Sequence, residues 1–169
     1  MEVASRSQTD VGTTLVIPCF NEEARLLPEE CLSFGKENPG YSILFVDDGS
    51  SDRTLHVLGN LEAPPCERLL VLRLRRNRGK GEAVRGGLLR AVEANPGFAG
   101  YWDADLVTPL DEAPRFRRVL DRVPNCDAAF GSRVKLLGRA ITRRALRHYA
   151  GRIFATLASL SLRLPIYAT

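Results

Sequence analysis

The sequence predicts an α/β domain with a mostly parallel sheet that is covered by helices on both faces. Two observations indicate this class. Short apolar runs alternate along the chain with longer segments of helical periodicity, and the connections between them are short and rich in Gly, Pro, Asn and Asp. Ligands bind at the carboxyl ends of the strands in such sheets, so the residues that follow each strand are candidates for a functional site.

The first half of the chain contains two predicted strands, each followed by acids. Residues 13–18 form the first strand, and Asn21 after it reads as a helix cap. A helix is expected between residues 28 and 40 because Pro favours the first helical position and Asn-Pro-Gly ends a helix. Residues 41–48 form the second strand, which turns into a helix that ends near residue 61. The acids that follow these strands are Glu22, Glu23, Asp47 and Asp48.

The second half repeats the alternation. Residues 68–74 form a third strand, which leads into a basic, glycine-bearing loop at residues 75–81 and a helix over 82–94. A later helix over 111–122 precedes a predicted fifth strand at 126–131. Polar side chains therefore follow each strand, and their convergence at one sheet edge predicts a ligand site.

The fourth strand lies in residues 98–109, where an apolar run ends abruptly in Asp103 and Asp105. If the strand continues through them, alternation points both carboxylates the same way. Two carboxylates at such a short separation repel each other unless a cation lies between them. Mg²⁺ and Mn²⁺ prefer oxygen ligands of this kind. The alternative is a turn or helix cap, which Asp also favours, since Pro109 follows soon after.

Length and composition favour a well-buried globular domain of 169 residues with 44% hydrophobic content. Residues 1–11 lack the apolar core of a signal peptide and are expected to be disordered. The apolar stretch 153–166 is interrupted by Arg163 and is too short to span a bilayer. The expected location is therefore cytoplasmic. The cysteines, whose spacing matches neither a zinc site nor a disulfide framework, are Cys19, Cys31, Cys66 and Cys126.

The net charge of +4 conceals a strong asymmetry. Residues 128–169 contain no acid and eight basic residues, which leaves residues 1–127 at −4. Within this tail Arg139, Arg143 and Arg147 recur every four residues, so they share one face of a basic amphipathic segment. An anionic partner is expected there, whether phosphate, membrane surface or nucleic acid; the alternative is a solvated helix face.

Several common nucleotide and metal motifs are excluded. The basic loop 75–81 does not match Gly-x-x-x-x-Gly-Lys-Ser/Thr, and no Gly-x-Gly-x-x-Gly turn joins a strand directly to a helix. Residues 47–52 resemble a calcium loop only superficially because the Glu expected near its end is missing.

Five motifs in order resemble glycosyltransferase family 2, which has the GT-A fold, and its dolichyl- or polyprenyl-phosphate sugar synthase branch. The motifs are residues 16–23 (Val-Ile-Pro-Cys-Phe-Asn-Glu-Glu), 46–52 (Val-Asp-Asp-Gly-Ser-Ser-Asp), 77–81 (Asn-Arg-Gly-Lys-Gly), 103–105 (Asp-Ala-Asp) and 131–133 (Gly-Ser-Arg). The resemblance covers nearly the whole chain and implies a single, Rossmann-like GT-A domain over residues 1–169.

The resemblance implies a nucleotide-sugar site. The residues that would contact the nucleotide are Pro18, Glu22, Asp47 and Asp48, assisted by Arg78 and Lys80. Asp103 and Asp105 would bind the Mg²⁺ or Mn²⁺ ion that bridges the diphosphate, and they form the catalytic group with Arg133. The alternative interpretation of Arg78, and equally of Lys80, is an ordinary solvated charge on the loop surface.

The resemblance also implies a polyprenyl phosphate acceptor at Arg133 and the basic segment 136–169. Guanidinium groups would position the phosphate, which is itself the nucleophile, so no strong general base is required. The apolar face of this segment would rest on the membrane, which implies a peripheral location at its inner face. Nucleic acid is the least favoured partner because the family resemblance explains the basic charge otherwise.

Two positions depart from the family pattern. Val107 stands where the mannose-transferring synthases often carry a metal-binding Gln, which favours a glucosyl-type relative. Ala168 stands where the family has an Asp, so we expect either that part of the acceptor site is lost or that the sequence is a fragment.

The expected activity is metal-dependent, inverting transfer of a hexose from UDP-glucose or GDP-mannose to dolichyl or polyprenyl phosphate. One alternative is a family 2 enzyme that acts on a saccharide hydroxyl. Another is a truncated nucleotide-sugar-binding module without activity. The sequence leaves the oligomeric state open.

Overall fold

The computed structural model describes residues 12–62, 68–94 and 96–131. The chain divides into two compact units, Met1–Pro114 and Arg115–Thr169. The first unit contains the sheet; the described part of the second is residues 115–131. The expectations for residues 1–11, Arg133 and segment 136–169 therefore lie outside the described residues.

Four parallel strands form one sheet. They are β1 (Thr13–Cys19), β2 (Tyr41–Asp47), β3 (Leu69–Arg73) and β4 (Phe98–Tyr101). Their spatial order is β3-β2-β1-β4. Strands β1 and β2 pair from Thr13 with Tyr41 through to Cys19 with Asp47, so their carboxyl ends lie side by side. The predicted parallel sheet is confirmed.

The helices follow the strands as the sequence predicts. They are α1 (Pro28–Glu37), α2 (Thr54–Glu62), α3 (Lys80–Glu93) and α4 (Ala113–Arg122), with a 3-10 turn, Leu110–Glu112, before the last. Pro28 occupies the first position of α1, where its missing N–H would have had no helical partner. Their boundaries differ from the predicted ones by a few residues, as is usual at helix ends.

Side chains of β1 and β2 alternate between two hydrophobic cores. One core contains Leu15, Ile17, Ile43 and Phe45, together with Phe34 of α1 and Leu58 of α2. The other contains Val16, Leu44 and Val46, together with Ala83 and Ala91 of α3. The central strands are thus buried on both faces, which explains their nearly continuous apolar sequence. This is the α/β, Rossmann-like arrangement that the sequence predicts.

Helix α3 lies unusually close to the sheet at Gly87. A Cβ atom at this position would lie 2.3 Å from Val16 Cγ1 and 2.8 Å from Val46 Cγ2. A Cβ atom on the preceding residue, Gly86, would meet no atom within 4 Å. Of these two glycines, Gly87 is therefore the one that packs against the sheet.

Strand β4 ends at Tyr101 and does not continue through Asp103 and Asp105. The last ladder contact is from Trp102 N–H to Val16 O, at 2.9 Å. Residues two apart on a strand direct their backbone groups to the same side, so Pro18 also faces β4. Since proline has no N–H, the ladder cannot be extended there. The assumption of a continuous strand was therefore wrong.

Two further local predictions were wrong. Asn21 does not cap a helix: its φ is 54°, only a turn follows at residues 23–25, and α1 begins at Pro28. Residues 126–131 form no strand, and none of the described strands pairs with them. An isolated apolar run lacks the ladder hydrogen bonds that define a strand, and Phe130 within it is 85% exposed.

Candidate functional site

A cleft of about 330 Å³ opens at the carboxyl ends of the strands in the first unit. It is lined by Pro18, Cys19, Phe20, Glu22, Asp48, Asn77, Gly79, Lys80, Ala83, Asp103, Ala104 and Asp105. These residues come from the end of β1, from the segments that follow β1, β2, β3 and β4, and from the start of α3. The predicted convergence of strand ends therefore produces a single concave surface.

The loops after β1 and β2 are joined by reciprocal hydrogen bonds. Asn21 N–H donates to Ser50 Oγ at 3.0 Å, and Asn21 Oδ1 accepts from Ser51 N–H at 2.9 Å. Glu22 N–H donates to the fully buried Thr54 hydroxyl at 2.8 Å. The left-handed backbone of Asn21 is thus held by side-chain bonds across the two loops, which fixes the neighbouring Glu22 at the cleft.

Acidic side chains complete this connection. The Asp52 carboxylate accepts hydrogen bonds from Thr54 N–H at 2.9 Å and from Glu23 N–H at 3.2 Å. Glu23 in turn accepts from Arg53 Nε at 2.7 Å. These bonds favour the ionised forms: the Thr54 hydroxyl, foremost, lowers the pKa of Asp52, and the Arg53 amide and guanidinium lower the pKa of Glu23.

Glu22 lines the cleft and is ion-paired with Arg25. Its side chain is 15% exposed, and Arg25 lies beside it, with Nε at 2.7 Å from Oε2. Arg25 donates to Oε1 at 2.8 Å. Despite the short ion-pair distance, Oε2 is buried and accepts no hydrogen bond from the described residues.

The two acids at the end of β2 serve the protein backbone. Asp47 is 1% exposed and accepts a hydrogen bond from Ser50 N–H at 3.2 Å. Asp48 is 2% exposed, and its Oδ1 and Oδ2 accept from Arg78 N–H at 2.9 Å and Gly79 N–H at 2.8 Å. Asp48 therefore holds the basic loop in place as well as lining the cleft.

Gly49 brings the loop after β2 against the loop after β3. Its φ is 70°, and a Cβ atom would lie 2.7 Å from the carbonyl carbon of Arg76 and 2.8 Å from the nitrogen of Asn77. A side chain is excluded here by both the backbone conformation and the contact with other backbone atoms. The close approach places the amides of Arg78 and Gly79 within reach of Asp48.

The segment after β4 presents Asp103 and Asp105 on the cleft side of a turn. Ala104 and Leu106, which alternate with them, are buried in the first hydrophobic core. Leu106 adopts a φ of 45°, a strained conformation that burial of its side chain maintains. Trp102 Nε1 donates to Thr108 O at 2.6 Å and closes the turn. The two carboxylates thus reach the same cleft without a continuous strand.

Asp103 and Asp105 have different partners. Lys80, the first residue of α3, donates from Nζ to Asp103 Oδ1 and forms an ion pair with it. Asp105 Oδ1 accepts from Val107 N–H at 3.3 Å. The ammonium group also lies 5.9 Å from the centre of the Tyr101 ring, which favours a cation there.

The donor set fits a divalent ion that is shared with a ligand. Among the described residues, no group of three or more His, Cys, Asp or Glu side chains could hold a metal by itself. Mg²⁺ sites in nucleotide enzymes commonly use only one or two carboxylates and complete their coordination with phosphate oxygens and water. Asp103 and Asp105 line one cleft and supply such a pair.

The structure places the predicted site residues in three groups. Those that line the cleft are Pro18, Glu22, Asp48, Lys80, Asp103 and Asp105. Asp47 and Arg78 are not among the lining residues: Asp47 is buried beneath its turn, and Arg78 contributes its backbone N–H to Asp48. Arg133 lies outside the described residues.

Sequence reasoning missed several contributors to the site. Asn77 lines the cleft and its Oδ1 accepts from Gly79 N–H at 2.8 Å. Cys19 also lines it, but burial raises the pKa of its thiol, so it is a poor nucleophile. Hydrogen bonds through Asn21, Asp52 and Thr54 join the loops after β1 and β2. The sequence indicates them only through the Asn and Asp residues in these loops, which favour side-chain-to-backbone hydrogen bonds.

Comparison with known proteins identifies the family. Residues 14–165 match the family described as "Glycosyl transferase family 2". The chain belongs to glycosyl transferase family 2.

Two curated relatives illustrate the similarity. Dolichyl-phosphate beta-glucosyltransferase of Drosophila melanogaster is 37% identical over 145 residues, which cover 78% of this chain and 44% of that protein. Undecaprenyl-phosphate 4-deoxy-4-formamido-L-arabinose transferase of Pectobacterium carotovorum subsp. carotovorum (strain PC1) is 36% identical over 110 residues, or 62% of this chain and 32% of that protein. The chain thus spans less than half the length of these relatives.

A solved structure supports the fold. The mannosyltransferase PcManGT from Pyrobaculum calidifontis, in complex with GDP-Man and Mn²⁺, superposes with a TM-score of 0.50 at 24% sequence identity. The match covers 63% of this chain and 31% of that one. The predicted α/β, GT-A architecture is therefore confirmed. No helix of the described residues is long and apolar enough to cross a membrane.

Proposed function

We propose that this chain is a hexosyltransferase that takes a nucleotide sugar of the UDP-glucose or GDP-mannose type and transfers the hexose to a dolichyl or polyprenyl phosphate. The supporting observation is the cleft at the carboxyl ends of β1 and β4, which brings Glu22 together with Asp103 and Asp105 in a family 2 chain. The names of the relatives, which act on dolichyl and undecaprenyl phosphates, support the acceptor class.

The donor nucleotide would lie along the loops after β1 and β2. The Glu22 carboxylate, which lines the cleft, would accept a hydrogen bond from a ribose hydroxyl or a base N–H. Pro18 supplies an apolar wall. Asp47 and Asp48 hold the loops, and Arg78 contributes its backbone N–H to Asp48. Lys80, which lines the cleft, would place positive charge near the diphosphate, with the Arg78 side chain in an assisting role.

Asp103 and Asp105 would hold Mg²⁺ or Mn²⁺ together with the donor diphosphate. When bound, such an ion offsets the negative charge that develops on the departing nucleoside diphosphate. The similar mannosyltransferase was solved with GDP-Man and Mn²⁺, which is compatible with this choice of ion. Val107 follows two residues after Asp105 and offers no side-chain ligand, so the two carboxylates carry the protein's side-chain contribution in this turn.

The acceptor phosphate would supply its own nucleophile. One of its oxygens forms the new bond to the anomeric carbon, and the bond from that carbon to the nucleoside diphosphate breaks on the opposite side, which inverts the configuration. The leaving diphosphate takes the bonding electron pair. We assign Arg133 and the basic segment 136–169 to the acceptor and to peripheral contact with the inner face of the membrane, on the strength of their sequence and charge.

Calorimetric titration of UDP, GDP, UDP-glucose and GDP-mannose, each with and without Mn²⁺, tests the donor site. We expect one nucleotide class to bind and Mn²⁺ to strengthen its binding. Asp105→Ala should reduce the Mn²⁺-dependent gain by at least about tenfold, since it removes one of two charged ligands. The control, Asp111→Ala, removes a carboxylate that does not line the cleft and should leave the gain intact.

The outcomes separate the alternatives. Absence of binding by every nucleotide overturns the proposal, and an unchanged Mn²⁺ effect in Asp105→Ala overturns the metal assignment. Binding without transfer to dolichyl or polyprenyl phosphate would indicate a nucleotide-sugar-binding module. Transfer to a saccharide instead of the lipid phosphate would indicate an enzyme that acts on a hydroxyl acceptor.

A further inference from the structure

One cationic side chain pairs with one of the two cleft carboxylates. Lys80 Nζ is ion-paired with Asp103, and the side chains of the two residues are 60% and 53% exposed. Both line the cleft, and the ammonium group lies 5.9 Å from the centre of the Tyr101 ring. Among the described residues, Asp103 receives no ion pair from another side chain.

We infer that Lys80 is an exchangeable counter-ion: it neutralises Asp103 in the empty cleft and transfers its charge to the donor diphosphate when a divalent ion takes the carboxylate. This rests on the proposed function, since it requires a metal and a diphosphate in the same cleft. It adds a role that metal binding alone does not require, namely that Lys80 links the two binding events.

The base of Lys80 is fixed while its charged end is free to move. Gly79, immediately before it, has a φ of 90° and donates its N–H to Asp48 Oδ2 at 2.8 Å. Asn77 Oδ1 accepts from the same N–H at 2.8 Å. The Lys80 side chain is a flexible four-carbon chain with a compact charge. Its ammonium group can therefore leave Asp103 while its backbone stays at the first position of α3.

The ion pair is weak enough to be exchanged. Both partners are more than half exposed, and ion pairs of this kind contribute little because water screens them. A divalent ion that arrives alone must still separate the ammonium group from Asp103 without offering it a new anion. An ion that arrives with a diphosphate offers phosphate oxygens to the released ammonium group. The cleft should therefore favour the metal–diphosphate complex over the free ion, and this coupling is reciprocal.

Titration of Mn²⁺, followed by the electron paramagnetic resonance signal of the free ion, tests the inference on the full chain. We expect Lys80→Met to bind Mn²⁺ about two- to fivefold more tightly than the wild type when no nucleotide is present, since the competing cation is gone. With UDP or GDP present, this advantage should disappear or reverse. Lys36→Met is the matched control: Lys36 is exposed in the last turn of α1 and does not line the cleft, so its loss should leave Mn²⁺ affinity unchanged.

The same lysine substitution in the Asp103→Asn variant separates this inference from the proposed function. In Asp103→Asn, Lys80→Met should no longer tighten Mn²⁺ binding because the shared carboxylate is gone. Equal or weaker Mn²⁺ binding by Lys80→Met without nucleotide overturns the counter-ion role. The Mn²⁺ titration of Lys80→Met is carried out without nucleotide. If no nucleotide bound to the protein, the proposed function would be overturned, but this titration would still decide whether Lys80 competes with the metal for Asp103.

Discussion

Both oxygens of the Asp48 carboxylate accept hydrogen bonds from the chain itself, from the N–H groups of Arg78 and Gly79. Asp103 instead faces the cleft, where its partner is the exposed side chain of Lys80. The sequence predicted that acids would gather at the strand ends, and it predicted their residues. It did not distinguish acids that hold a loop from acids that face a ligand, because that depends on which backbone amides the next loop brings close.

Asp52 should make stability depend on pH. Its carboxylate is ionised in the fold because it accepts from Thr54 and Glu23, which lowers its pKa below the ordinary value. A group with a lowered folded pKa contributes stability above its unfolded pKa, about 4, and loses it as the pH falls through the folded value. The free energy of unfolding should therefore fall as the pH drops below about 4, and it should fall less steeply in Asp52→Asn.

Urea unfolding at a series of acidic pH values measures this slope. Glu93→Gln is the control, since Glu93 forms only an exposed pair with Arg90 on the same helix, and it should keep the wild-type slope. An unchanged slope in Asp52→Asn would mean that the hydrogen bonds to Asp52 add no stability.

Helix α3 depends on a glycine that its helical pattern did not single out. Residues 86 and 87 are both glycines in the same helix, yet only a side chain on Gly87 would collide with Val16 and Val46. The sequence could predict the helix and the apolar strands because both rest on local periodicity. Which glycine meets the sheet depends on the rotation of the helix. The apolar run at 126–131 likewise predicts a strand from local pattern alone, although no described strand pairs with it.

Two alanine substitutions should have opposite effects on stability. Gly87→Ala should lower the free energy of unfolding by about 1–3 kcal/mol, because its Cβ forces apart a closely packed helix and sheet. Gly86→Ala should raise it by up to about 1 kcal/mol, because alanine favours the helix and the position is open. Thermal and urea denaturation of the two variants measure both changes. A similar effect at the two positions would contradict the packing at Gly87.

At the scale of the molecule, the sequence predicted the α/β class and the family, and both are confirmed. The strand ends could be placed because several motifs occur in order and in separate loops. The proposed acceptor region has no such support: Arg133 and segment 136–169 lie outside the described residues, and the chain spans less than half the length of the two curated relatives.

Donor binding and lipid transfer should be separable by mutation. Replacing Arg143 and Arg147 together by alanine should reduce transfer to polyprenyl phosphate by about tenfold or more, because each guanidinium would contribute to phosphate binding. Calorimetry should show nucleotide affinity within about twofold of the wild type. The control is the replacement of Arg85 and Arg90 by alanine at exposed positions of α3. It removes the same number of positive charges as the replacement of Arg143 and Arg147. Equal losses of transfer and nucleotide binding would contradict the division.

The order β3-β2-β1-β4 has a consequence for how specificity can change. From β1 the chain proceeds outward through β2 and β3, then returns to the other side of β1 at β4. The segments after β2 and β4 therefore emerge on opposite sides of the end of β1 and leave a crevice between them, which is the cleft. Substitutions or insertions in either loop can reshape the crevice without altering strand register. A new donor preference can accordingly evolve, or be grafted from a relative, while the folding core is inherited unchanged.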